Sequence, residues 1–209
     1  MGFPVKLYVY ELSRGLASKI SAPLLGRQID GIWHTGITVY GKEYYFGHFG
    51  IANVPVGSFF LGNPTEIVEL GETEITEKEF QEHVNELVKT TFAGQKYQLL
   101  KHNCNTFSNE AAKFLTGNSI PEKITNLPND VLSTKFGQMI HPHIDSIVTQ
   151  FRQAIAIRDD KSFHSQVISL VSSVSKTIIS NPQSLAQAQN PDDMPHDTTS
   201  SKLYVHDLD

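Results

Sequence analysis

The sequence holds a single cysteine, one tryptophan and no excess of positive charge. One Cys excludes an intramolecular disulfide and falls far short of the four ligands of a structural zinc site. A reducing compartment is the expectation, with cytoplasm and nucleus both open because no basic cluster compels import. Seventeen Lys+Arg against 22 Asp+Glu leave a formal net charge of −5. That balance lacks the basic excess of a nucleic-acid-binding domain. No window approaches the ~18 consecutive apolar residues of a membrane span, so no integral membrane segment is expected. Met1-Gly2-Phe3-Pro4-Val5-Lys6 has no cationic flank leading into an apolar run, which argues against a secretory signal. Lys6 stands where a myristoylation motif requires Ser or Thr.

What is present is 209 residues with 39% apolar content, enough for one main domain with a sizeable core and no covalent staple. The first third reads as β. Val5, Leu7 and Val9 alternate with Lys6, Tyr8 and Tyr10, the period of a half-buried strand. Ile32 to Tyr40 and Glu43 to Phe46 are rich in β-branched and aromatic residues. Gly41-Lys42 between them fits a two-residue hairpin turn. Glu66 to Leu70 makes a further strand ended by Gly71, and glycine-rich links lie between.

Helices follow. Thr76-Glu77-Lys78-Glu79 is a capping box, and Phe80, Val84, Leu87, Val88 and Phe92 mark one helical face, with Gly94 as the stop. Tyr97 to Leu100 is expected to be extended. A second helix begins around Asn103–Thr106, carries Phe107, Ala111, Phe114 and Leu115, and ends at Gly117. Past Pro121 the chain reads as short helices between prolines. Ile144 to Ile155 and Phe163 to Ile178 have helical spacing for core or interface packing. From Pro182 onward five Asp and one Lys hold most of the net charge among Gln, Ser and Pro, the composition of a disordered tail.

Chemistry concentrates at Cys104, within His102-Asn103-Cys104-Asn105-Thr106-Phe107-Ser108-Asn109-Glu110. A thiol attacks only as thiolate, and a helix start stabilises that anion through unpaired N–H groups and the macrodipole. The same N–H groups can hold the oxyanion of a tetrahedral intermediate. A lone Cys is otherwise a small buried hydrophobe. For a base, His34 lies on a strand flanked by small and β-branched residues, His102 is two residues from the thiol, and His48 follows a strand end. His141 and His143 lack the carboxylate or thiol partners of a metal site, so no metal and no cofactor are expected. Spacing alone does not choose among the histidines.

Val5 to Ser13, Gly31-Ile32-Trp33-His34-Thr35, Tyr45-Phe46-Gly47 and His102 to Glu110 together resemble the PPPDE family of cysteine peptidases. Phe114 to Gly117, Ile120-Pro121, Asn126-Leu127-Pro128 and Val131 to Thr134 extend the resemblance. It implies an α+β fold, a circularly permuted papain-like arrangement in which the histidine precedes the cysteine. It also implies a dyad of His34 and Cys104, with His34 either drawing the thiol proton or holding it as an ion pair. The expected organisation is a peptidase domain over 5–148, a helical extension over 149–181 and an acidic tail over 182–209. Family likeness further implies a homodimer with the site in the groove between subunits. The implied substrates are lysine isopeptides of the small ubiquitin-like modifier (SUMO) on conjugated proteins. Ubiquitin conjugates and acylated proteins, the latter through S-depalmitoylation, are alternative substrates for the same dyad, and a non-catalytic modifier-binding adaptor is the remaining reading. Beside the Cys104 N–H, the side chains of Asn103 and Gln28 are candidate oxyanion donors. Trp33, Phe46, Gly47, Phe49 and Gly50 are candidates for a slot that admits a diglycine tail.

Overall fold

A computed structural model describes residues 2–141. The proposed helices beyond Ile144, the acidic tail and the 148/149 boundary lie outside the described residues.

Five antiparallel strands form one sheet in the order β4-β3-β2-β1-β5. They are β1 (Phe3–Glu11), β2 (Trp33–Val39), β3 (Lys42–Gly47), β4 (Gly50–Pro55) and β5 (Glu66–Thr73). The α-helices among the described residues are α1 (Leu16–Leu25), α2 (Glu77–Lys89), α3 (Cys104–Thr116), α4 (Glu122–Thr125), α5 (Leu127–Leu132) and α6 (Lys135–Ile140). The mixed composition makes the fold α+β, as expected.

Alternation decides which face is covered. Val5, Leu7 and Val9 on β1, Ile37 and Val39 on β2, and Tyr44 and Phe46 on β3 point to one side. There they meet Phe80 and Val84 of α2 and Phe107, Ala111, Ala112 and Leu115 of α3. Phe80 and Phe107 are fully buried, and truncating either to Ala costs about 3–5 kcal/mol.

The structure differs from the sequence reading at several joints. The β2–β3 turn is Tyr40-Gly41, not Gly41-Lys42, because Val39 pairs with Lys42. Tyr40 and Gly41 both have positive φ, 52° and 73°, which a primed hairpin turn demands. Strand β5 does not stop at Gly71 but runs to Thr73, absorbing a register shift opposite Val5/Lys6. Strand β4 lies in what reads as a glycine-rich link, and α1 in a stretch with no legible period. Helix α2 ends at Lys89, and Gly94 opens a single 3-10 turn, Gly94–Lys96. Instead of a strand, the segment after Tyr97 makes one bridge, Gln98 to His102, which delivers the chain to the start of α3.

Candidate active site

Helix α3 begins under a buried cap. Asn103 Oδ1 accepts from the N–H groups of Asn105 (2.9 Å) and Thr106 (3.1 Å), and Thr106 Oγ1 accepts from the Asn103 N–H (2.8 Å). The cap occupies the second and third N–H groups of the helix, and Cys104 occupies its first position. No acidic residue lies in the first turn, so the positive end of the helix faces the thiol without a competing carboxylate.

This helix start sits against an unfinished strand edge. The β2–β3 ladder runs from Val39↔Lys42 only to Ile37↔Tyr44. Along a strand, backbone groups of alternate residues point to the same side. Trp33 and Thr35 therefore aim theirs where β3 no longer reaches. Asn105 Nδ2 donates to the Trp33 carbonyl (3.2 Å), and the Thr35 N–H reaches the Cys104 sulfur. Thr35 Oγ1 lies 2.9 Å from both Asn105 Oδ1 and Ser108 Oγ. The Cys104 thiol itself donates to Asn105 Oδ1 at 3.6 Å. The first turn of α3 thus replaces β3 as the partner of β2, and it grips the residues on both sides of His34. Among the described hydrogen bonds none joins the His34 ring to the thiol; the connection runs through their backbone neighbours.

His34 occupies the opposite sheet face from Thr35. Its ring stacks on Phe59 (5.2 Å between centroids, 5° between planes) and lies near Tyr10 (6.0 Å) and Tyr45 (6.2 Å). Nε2 is buried without a hydrogen-bond partner. Burial pushes the imidazole down to about 4. It also pushes the Cys104 thiol up to about 11, against the opposing pull of the Thr35, Asn105 and Cys104 N–H groups. Desolvation wins in both cases. Both shifts favour the uncharged form of each group at neutral pH.

Comparison with known proteins identifies the family. The PPPDE peptidase domain model matches residues 3–145. The chain belongs to the PPPDE peptidase family. Desumoylating isopeptidase 1 of Homo sapiens is 53% identical over 148 residues, covering 71% of this chain and 88% of that protein. The Rattus norvegicus protein of the same name is 52% identical over the same shares. The Xenopus laevis one is 50% identical over 70% of this chain and 86% of its own length. The chain is a cysteine isopeptidase by its family and these likenesses.

Against that PPPDE frame, the other candidate residues fall into distinct places. Asn103 caps the helix through Oδ1, and its Nδ2 donates one of its two hydrogens to the Leu99 carbonyl. Gln28 is exposed and its Nε2 donates to the Ser18 carbonyl (2.9 Å). Trp33 is half-buried, with Lys123 Nζ 5.7 Å from its ring centre. Phe46 is 1% exposed and packs on Phe92, Tyr97 and His102; its ring lines no groove, because its position faces the core. Gly47 and Gly50 pair across the β3–β4 hairpin, and Phe49 at its tip is wholly exposed. Of the reserve bases, His102 stacks on Phe92 (4.4 Å) with Nε2 2.9 Å from the Thr91 carbonyl, and His48 packs on Tyr97 (4.3 Å). His141 follows α6 and His143 lies outside the described residues. Among the described residues no cluster of three His, Cys, Asp or Glu could hold a metal, and no helix is long and apolar enough to cross a membrane.

Sequence reasoning missed Thr35, Asn105, Ser108 and Phe59. Thr35 and Ser108 stand at core positions of their periods, where a polar residue asks for a partner. Phe59 gave no signal, since it lies in an irregular loop.

Proposed function

We propose that this protein removes SUMO from the lysines of conjugated proteins, with Cys104 as nucleophile and His34 as base. The observation that carries the reading is the docking of the α3 start onto the free half of β2. It ties the histidine strand to the cysteine helix, in chain order opposite to papain, which supports a permuted papain-like site.

From the uncharged resting state, His34 takes the proton from the Cys104 sulfur as that sulfur attacks the isopeptide carbonyl. The carbonyl π electrons move to oxygen. The Cys104 N–H, left outside the Asn103 cap, is the donor best placed for that oxyanion at the helix start. Collapse expels the lysine amine, which takes its proton from His34. Water, deprotonated by His34, then hydrolyses the thioester and releases the modifier with a free C-terminal carboxylate. The same reading includes a homodimer with the site at the subunit groove. Phe60, 76% exposed and in contact with Phe59 at 4.6 Å, supplies an apolar rim beside His34 for a second surface to cover.

The test is the ratio of kcat/KM for three substrates: a SUMO–lysine isopeptide, a ubiquitin–lysine isopeptide and a peptide carrying an S-palmitoyl cysteine. SUMO is expected to lead by at least about tenfold. Faster turnover of ubiquitin or of the acyl thioester replaces the substrate assignment while keeping the dyad. Failure to turn over any of the three, by folded protein, restores the adaptor reading. Sedimentation velocity with and without a Phe60→Asp change tests the dimer, which predicts dissociation in the variant.

A further inference from the structure

A buried carboxylate that the steps above do not use lies on the same sheet face as His34. Glu43 is 0% exposed, the one acidic side chain among the buried residues described. Pairing sets Tyr10 opposite His34 and Glu43 opposite Thr38, on the sheet face turned away from α3. The carboxylate leans across Gly36: a Cβ there would fall 2.6 Å from Glu43 Oε1. Gly36 follows His34 by two positions on that same face, a spacing of roughly 7 Å along a strand. Tyr10 fills the interval. Its hydroxyl donates to both Glu43 oxygens, at 2.9 and 3.0 Å, while its ring lies 6.0 Å from the imidazole. Burial raises the Glu43 carboxyl above the usual carboxylate range, and the Tyr10 hydrogen bond opposes that rise by favouring the ionised form.

A buried charge held by one neutral hydroxyl is costly unless an opposite charge arises near it. His34 acquires that charge whenever it holds the Cys104 proton, and its Nε2 has no partner among Phe59, Tyr45 and Tyr10. We infer that Glu43, held by Tyr10, is a positioning residue for His34, whose fixed negative charge stabilises the transient imidazolium. The proton moves from Cys104 to His34 and on to the leaving amine; Glu43 neither receives nor donates it. The inference rests on the His34–Cys104 reading. Among the described strand residues, the other titratable groups on this face are Lys6 and Tyr8 on β1, Tyr45 on β3 and Glu69 on β5, with Lys6 paired to Glu69 at 2.8 Å. Across the sheet, Lys123 is paired with Glu66 at 2.6 Å. Both cations are thus paired with carboxylates other than Glu43.

The experiment uses full-length protein and a SUMO–lysine isopeptide. It measures kcat and KM against pH, together with the His34 titration followed by NMR. Glu43→Gln keeps the shape and removes the charge. Its imidazole is expected to titrate roughly one unit lower, and kcat to fall about tenfold with KM unchanged. The acidic limb of the profile moves to lower pH, because a weaker base stays neutral further down. Glu43→Asp, which keeps the charge, recovers most of the rate. Tyr10→Phe gives a smaller shift of the same sign and serves if Glu43→Gln does not fold. A wild-type profile and His34 titration in both Glu43→Gln and Tyr10→Phe overturn the inference. Equal losses in Glu43→Gln and Glu43→Asp, with the limb unmoved, reduce Glu43 to a packing role and overturn it too. Retained activity in His34→Ala or Cys104→Ser marks instead the failure of the underlying dyad.

Discussion

Helices α2 and α3 start with the same device and put it to different uses. At α2, Thr76 and Glu79 form a reciprocal cap at the surface, and acidic Glu77 and Glu79 fill the first turn. At α3, Asn103 and Thr106 form a buried cap, the first turn holds no acid, and the leading residue is Cys104. In α2 the carboxylates answer the positive end of the helix; in α3 no carboxylate does, and that positive end is left to the Cys104 sulfur. A cap therefore says where a helix begins, while the residue at its first position and the surface it docks on say what the beginning is for.

The largest effect expected of any break in this comparison falls on Cys104 and His34. Cys104→Ser and His34→Ala should each lower isopeptide hydrolysis by at least about 10³-fold, with thermal denaturation confirming folded protein. Asn105→Ala comes next. It severs the hold on Trp33 and Thr35, and the misplacement should cost about 10- to 100-fold in kcat, measured at saturating substrate. The two caps then separate cleanly. Asn103→Ala and Thr76→Ala should each cost about 1–2 kcal/mol in chemical denaturation, but only Asn103→Ala should also lower kcat, since only its helix carries the proposed nucleophile.

The smallest effect is on stability against pH. His34 has its folded value lowered to about 4 from 6.5. Above pH 6.5 both states leave it neutral. As pH falls below 6.5 the unfolded chain takes up a proton that the folded chain refuses, so stability is lost down to about pH 4, by on the order of 3 kcal/mol at most. Cys104 acts at the other end: its value is raised to about 11 from 9.0. Stability is full below pH 9 and is lost as pH rises toward 11. Urea melts across pH 4–11 should show both shoulders, with His34→Phe removing the acid one and Cys104→Ser the alkaline one.

The strands and helices that carry the core were legible because their periods were clean: Val5, Leu7 and Val9 for β1, Phe80 and Val84 for α2, and the Thr76–Glu79 box. Strand β4 was not, because Ile51-Ala52-Asn53-Val54 is short and bounded by glycine and proline. In the site, Cys104 at a helix start and His34 on a strand were readable locally, and family likeness chose between His34 and its rivals. Phe46 misled, since its aromatic ring next to Gly47 suggested a slot, whereas alternation along β3 turns it into the core. The ionisation state was not readable at all. A helix start predicts an easily formed thiolate, yet burial in this fold outweighs the backbone N–H groups of Thr35, Asn105 and Cys104 that favour it. The Asn105 bridge was equally hidden, because it exists only where β3 ends and leaves β2 open, a fact of sheet register rather than of local sequence.

The account rests on Cys104 acting from its place between the α3 cap and the open half of β2. Its most direct test is incubation of the folded protein with SUMO vinyl sulfone, followed by peptide mapping of the adduct by mass spectrometry. The expected result is a single covalent adduct on Cys104, slowed at least a hundredfold in His34→Ala. An unlabelled Cys104 in active protein, or an adduct formed at the same rate without His34, would contradict it.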